Sequence, residues 1–206
     1  LHAGGVPWLV DFGTGSYVAR SLGWYRTTFA HNAPAVDGAS QLPADGLCVA
    51  FDDGGDFGWM CAQLPDSTAF HGAALQRTVV VTPGYVLDVV QMMSSTGART
   101  LMLPWHGLGQ ARADELGVTF TRPDGVLRIL LGARQPFRVE LHRAPGPPGH
   151  DPEELEFPLV VSEGEQVTLA ACVDLGAGIE ELDCVEGSFT VRFADGSLHM
   201  HQAPDD

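Results

Sequence analysis

The chain has no lysine. All 11 of its basic side chains are arginine, set against 26 carboxylates, and the formal net charge is −15. An excess of that sign repels nucleic acid and anionic membranes, so neither is an expected partner. It also repels a polyanionic polysaccharide unless positive charge is gathered locally. No two of the four cysteines (Cys48, Cys61, Cys172 and Cys184) make a CxxC pair, which removes a zinc ribbon. Cys48 and Cys172 lie in apolar, strand-like runs, Leu47–Phe51 and Ala170–Val173, where a free thiol behaves as a small buried hydrophobe. Transmembrane runs and a signal peptide are lacking. A sustained helical period is missing too, and Ala111–Leu116 offers at most one helical turn.

What is present points to strands and turns. The 206 residues are 45% hydrophobic, enough for a sizeable core, and 25 Gly and 14 Pro suit many short strands joined by turns. His2–Pro7 reads as the turn of a hairpin whose first strand is missing, followed by the strand Trp8–Val10, so a fragment of a longer protein is expected. Strands are predicted at 77–82, 84–91, 99–104, 117–121, 125–131, 137–142, 156–161, 166–173, 187–193 and 197–201. Ser188–Phe193 alternates polar and apolar residues, as a strand with one wet face requires. Asp124-Gly125 and Asp195-Gly196 are hairpin turn signals. Residues 144–154 read as a loop, either a domain linker or an exposed loop within one domain. The expected architecture is all-β: a single antiparallel β-sandwich domain over residues 1–206.

The stretch Trp8–Gln41 stands apart. Between Phe12 and Val36 it holds Arg20, Arg26 and His31 and no carboxylate, a local reversal of the chain's charge where an anionic ligand can sit. Gly13, Thr14, Gly15 and Ser16 form a donor-rich turn, and its glycines allow close approach of a ligand to the backbone or simply a tight turn. Near the end, His199 and His201 lie two apart on a strand and share one face, as metal ligands or as surface side chains.

Read as a whole, the stretch resembles the C-terminal β-sandwich signature of heparinase II/III-like polysaccharide lyases. The resemblance is carried by Val10, Asp11, Gly13, Thr14, Gly15, Ser16, Tyr17, Arg26, Thr28, His31, Asn32, Val36, Asp37, Gly38 and Gln41. Arg77 and the run Gly84–Asp88 resemble later strands of that family. The resemblance implies β-elimination at a uronic acid in a glycosaminoglycan or alginate-type substrate, and a periplasmic or secreted protein. It also implies a partner within the same protein, an N-terminal (α/α) toroid, which this chain lacks. The family's Tyr catalyst and an upstream His therefore have no counterpart here, and the chain alone is expected to be inactive.

Carried over by position, His31 either neutralises a carboxylate or transfers a proton in the cleft, or else holds its own turn together. Arg26 and Arg20 are expected to bind a uronate carboxylate or sulfate. Asn32 and Tyr17 are expected to hydrogen-bond sugar hydroxyls. A structural zinc is implied between the missing His, Asp11 and a later His, for which His71 fits and His106 competes; alternatively, Asp11 caps its own glycine turn. The rival readings are a non-catalytic carbohydrate-binding or scaffold sandwich, since fold does not fix function. An immunoglobulin-like adhesion module lacks its Cys…Trp…Cys spacing.

Overall fold

A computed structural model describes all residues except 15, 16, 19, 20, 66–68, 150–152, 186 and 203–206. The chain opens on a short hairpin of β1 (His2–Ala3) and β2 (Val6–Pro7), turned by Gly4 and Gly5 at φ 58° and 78°. Both of its strands are present, although the sequence suggested a hairpin lacking the first. The expected strand at Trp8–Val10 is reduced to one bridge between Leu9 and Gly107. Next come the short helix α1 (Leu22–Tyr25), a 3-10 turn at Thr28–Ala30 and β3 (Ala35–Val36).

The remaining elements are strands. They are β4 (Leu47–Asp53), β5 (Gly58–Leu64), β6 (Ala73–Val81), β7 (Tyr85–Ser94), β8 (Arg99–Pro104), β9 (Gln110–Ala113) and β10 (Gly117–Arg122). After these follow β11 (Gly125–Ala133), β12 (Phe137–Pro145), β13 (Glu154–Gly164), β14 (Gln166–Asp174), β15 (Ile179–Val185), β16 (Ser188–Phe193) and β17 (Leu198–Gln202). The helical turn expected at Ala111–Leu116 is instead β9 and a turn, because β9 pairs along β10. Most of residues 144–154 connect a hairpin: Ala144 pairs with Leu155 and Pro145 with Glu154, so β12 and β13 stay within one sheet.

Three sheets stack. The eight-stranded sheet runs β4-β5-β6-β7-β14-β11-β10-β9, and all its pairings are antiparallel. A four-stranded sheet, β12-β13-β8-β3, covers one face, and β15-β16-β17 covers the other. Side chains alternate along a strand, so the middle strands must be apolar in both directions. Accordingly Val90 and Met92 of β7, with Leu169, Ala171 and Val173 of β14, meet Leu101, Leu103 and Val160. Tyr85, Leu87 and Val89, with Ala170 and Cys172, meet Ile179, Leu182, Phe189 and Val191. Each large apolar side chain so buried contributes about 1.5–3 kcal/mol.

The outer face of the four-stranded sheet is not left bare. Phe157, Leu159 and Val161 pack under Trp24 and Phe29 of the motif stretch. A second small cluster, Phe12, Tyr25 and Leu155, closes the same region. All four cysteines are free. Cys172 and Cys61 are buried, but Cys48 is exposed, contrary to expectation, because β4 is the edge strand of its sheet. Among the described residues, no helix is long and apolar enough to cross a membrane.

Candidate functional site

The stretch from Val10 to Gln41 is mostly irregular, so its backbone polar groups need partners other than a sheet ladder. Its own side chains supply them. Asp11 Oδ1 accepts the Gly13 N–H at 2.7 Å, an Asx turn with Gly13 at φ 62°. The Thr28 hydroxyl accepts the Gln41 N–H at 2.9 Å, and the Ser40 hydroxyl accepts the Thr28 N–H at 3.1 Å. Asp37 and Gly38, at φ 52° and 73°, turn the chain after β3. The Asp37 carboxylate accepts from the Thr100 N–H at 2.8 Å and from Arg99 Nε at 2.5 Å. Those bonds, against a burial effect that raises it, hold the Asp37 carboxyl below its ordinary pKa.

Asn32 is the junction. Its Nδ2 donates to the Val10 carbonyl at 3.0 Å, its Oδ1 accepts the His106 N–H at 2.6 Å, and its own carbonyl accepts from Arg77 at 2.7 Å. Arg77 also makes a two-pronged pair with Asp88, Nε to Oδ1 at 2.8 Å and NH2 to Oδ2 at 2.6 Å. The Asp88 side chain is only 4% exposed. Asp88 raises the Arg77 guanidinium pKa further, burial opposing it. Asn32 therefore ties the motif to β6 and to the segment after β8. That role differs from the sugar contact that the resemblance implies.

His31 and His106 form the centre of the site. His31 Nδ1 lies 2.7 Å from Asp11 Oδ2, and its Nε2 lies 3.0 Å from the Tyr25 carbonyl. A carbonyl only accepts, so Nε2 carries a proton. With Nε2 so engaged, the Nδ1–Asp11 contact is a cation–anion pair when the imidazole is protonated at both nitrogens. The pair is half-exposed, with side chains 32% and 59% open. Burial would raise the Asp11 pKa, but bonds from His31 and the Gly13 N–H, with the charges of His31 and His106, hold it below its ordinary value.

His106 lies beneath, 1% exposed, with Nε2 donating to the Phe29 carbonyl at 2.7 Å. Its ring packs on Phe157 at 4.6 Å and Phe12 at 4.8 Å. Burial drives its pKa down to about 4; the Phe29 bond and Asp11 oppose the shift, and His31 adds to it. It is neutral at pH 7. The sequence offered His106 only as a candidate metal ligand. Its apolar flank, Leu103-Pro104-Trp105, is the signal for a core position.

The other expected site residues divide by surroundings. The Arg26 backbone N–H donates to the Trp24 carbonyl as the cap of α1, while its exposed side chain has neither an ion-pair nor a hydrogen-bond partner among the described residues. Tyr17 is 76% exposed. Arg20 lies outside the described residues, as do Gly15 and Ser16. His71 is exposed in the turn before β6, and its carbonyl accepts from Arg99. Among the described residues, no group of three or more His, Cys, Asp or Glu could hold a metal ion. Asp11 and His71 alone do not make a zinc site. Tyr25 was not singled out in the sequence; its hydroxyl donates to the Gly146 carbonyl at 2.7 Å in the interior, fixing α1 against the β12–β13 connection.

With this geometry in place, comparison with known proteins is informative for structure alone. No family model matches the chain, and no curated protein matches it. Solved structures do. A mutant of heparan sulfate lyase HepC from Pedobacter heparinus superposes with TM-score 0.75 at 16% identity, over 97% of this chain and 35% of that one. A heparinase III superposes with TM-score 0.73 at 12% identity, over 96% of this chain and 34% of that one. At such identities the likeness is one of fold, and it defines the class: a β-sandwich of the kind found in heparinase lyases. The chain spans about a third of the length of the lyases it matches.

Proposed function

We propose that this chain is the β-sandwich portion of a polysaccharide lyase that cleaves uronic-acid-containing polysaccharides by β-elimination. The observation that carries the reading is an exposed rim on a fold shared with heparan sulfate lyases: it bears the Arg26 side chain, which has no partner among the described residues, and the half-open His31, whose one carboxylate neighbour is Asp11. In β-elimination the C5–H bond breaks, its electrons form the C4=C5 double bond, and the C4–O4 bond breaks as O4 takes a proton. The C5 proton is only weakly acidic until the neighbouring carboxylate is neutralised. Arg26, with its planar fork, suits that carboxylate, and His31, in its protonated form, adds a second positive group beside Asp11. Both ring nitrogens of His31 are engaged, so neutralisation suits it better than proton abstraction. The base that takes the C5 proton and the acid for O4 belong to the toroid of the longer protein in this reading.

A non-catalytic scaffold is the second reading. It is favoured by the inward bonding of Asp11, Asn32 and Asp37, which hold the stretch to itself. One screen separates them. The full-length parent is incubated with heparan sulfate, heparin, chondroitin sulfate, hyaluronan and alginate, and the absorbance of the unsaturated uronate is followed. Activity is expected on at least one substrate and none is expected from the 206-residue chain alone. A full-length protein inactive on every uronate would overturn the lyase reading.

A further inference from the structure

On the far side of the eight-stranded sheet, the His-x-His pair of β17 meets a buried tyrosine. His199 and His201 pair with Val191 and Phe189 of β16 and point to one face. Their ring nitrogens converge on a single atom. Tyr85 Oη lies 3.0 Å from His199 Nδ1 and 2.7 Å from His201 Nε2. Tyr85 is 1% exposed, His201 is half-buried and His199 is exposed, so the cluster can be reached past His199. The phenol has one proton to give. One imidazole therefore accepts it while the other donates to the phenol oxygen.

We propose that Tyr85, His199 and His201 form a binding site for one borderline divalent cation, copper(II) or zinc(II). Imidazole nitrogen favours these ions over magnesium or calcium. Ligand atoms around a tetrahedral ion with bonds of about 2.0–2.1 Å sit about 3.3 Å apart. The two separations here fall short of that by a few tenths of an ångström, which a small outward turn of the two imidazoles supplies. The ion enters at the position of the shared hydrogen bonds. The imidazole that donates to the phenol frees that nitrogen by changing tautomer, giving its proton to solvent and taking one up at its other ring nitrogen, and as the phenol becomes a ligand its own proton leaves to solvent. Burial, with nearby Cys172, pushes the phenol pKa up to about 12, so the imidazoles are the firm ligands and the phenolate the conditional one. Cys172 stays out of the set, its buried thiol pushed up to about 12. A bound ion ties β17, the edge strand of the three-stranded sheet, to β7 at the heart of the eight-stranded one.

The test uses the tag-free chain, stripped with chelator and titrated with Cu2+ and, separately, Zn2+ by calorimetry. One ion per chain is expected, with a higher thermal midpoint. His199→Ala and His201→Gln should each weaken binding at least about ten-fold, the lower end of what losing even an outer-shell partner costs. Tyr85→Phe should keep weakened copper binding and lose the phenolate-to-copper absorption band. His142→Ala, an exposed histidine elsewhere, should bind as the parent chain does. Since His199 is exposed, His199→Ala folds and decides the matter even if Tyr85→Phe does not fold. Absence of binding by the parent chain, or unchanged affinity in His199→Ala combined with His201→Gln, overturns the proposal.

Discussion

Strands β7 and β14 carry apolar side chains on both faces and are fixed by burial, whereas Val10–Val36 has little regular pairing and is fixed by named polar atoms. Burial is non-directional and spread over many contacts. A polar junction is directional, and removing one atom leaves its partner unsatisfied in a place water does not reach. The sheet should therefore tolerate volume-conserving change such as Leu87→Met. The rim should respond to single-atom changes that alter neither size nor apolarity.

The sharpest break of that contrast is Arg77→Met. It keeps length and apolar bulk but strands the buried Asp88 carboxylate and the Asn32 carbonyl. A loss of about 3–5 kcal/mol is expected in urea unfolding, the cost of breaking a buried pair from one side. Adding Asp88→Leu should recover much of it, because the cost is the unpaired charge rather than the missing pair.

Next comes acid. The folded-state pKa of His106, about 4, lies below the ordinary 6.5. Between those values the unfolded chain binds more protons, so stability rises with pH across the window. The contribution is complete above about pH 6.5 and lost as pH falls toward 4, and by this shift it is on the order of 3 kcal/mol. Unfolding midpoints measured from pH 7 to 4.5 should show the slope, and His106→Gln should flatten it. His201 is shifted the same way, by burial and by His199, and keeps a part of the slope in that variant. Below these in size, Asn32→Ala removes two bonds and leaves the Val10 carbonyl and the His106 N–H unpaired, about 2 kcal/mol in the same assay.

How much of this the sequence disclosed follows from the same contrast. Strands with a two-residue apolar period are written locally, and β8 was expected at Arg99–Pro104, where it lies. Ser188–Phe193 alternates in burial as it does in polarity. Several strands went unread because their pattern is weak alone, among them β5, which mixes Gly, Trp, Met and Gln, β15, which is acidic, and β9, which takes its form from β10. In the site, the family resemblance drew attention to Asp11, His31, Asn32 and Asp37 but not to which way they face. That direction depends on partners far along the chain, at Thr100, His106 and Arg77. Tyr25 was missed because its partner, Gly146, is a backbone carbonyl, which leaves no mark in residue type.

The smallest stability effect is expected at His31, and it is the one that separates the two readings of the rim. Its pair with Asp11 is half-open to water, where such pairs contribute about 0.2–1 kcal/mol. The Asp11 pKa is depressed, so the contribution is present above the unfolded carboxylate value and is lost as pH falls through the lower folded value. His31→Ala should thus cost at most about 1 kcal/mol at pH 7. In the full-length parent, loss of the imidazole beside the uronate carboxylate should lower kcat/KM by about a hundred-fold. Unchanged turnover with a fall in stability would assign His31 to holding the Asp11–Tyr25 turn. Arg26, whose side chain has no partner among the described residues, would then be the rim's remaining candidate for the substrate.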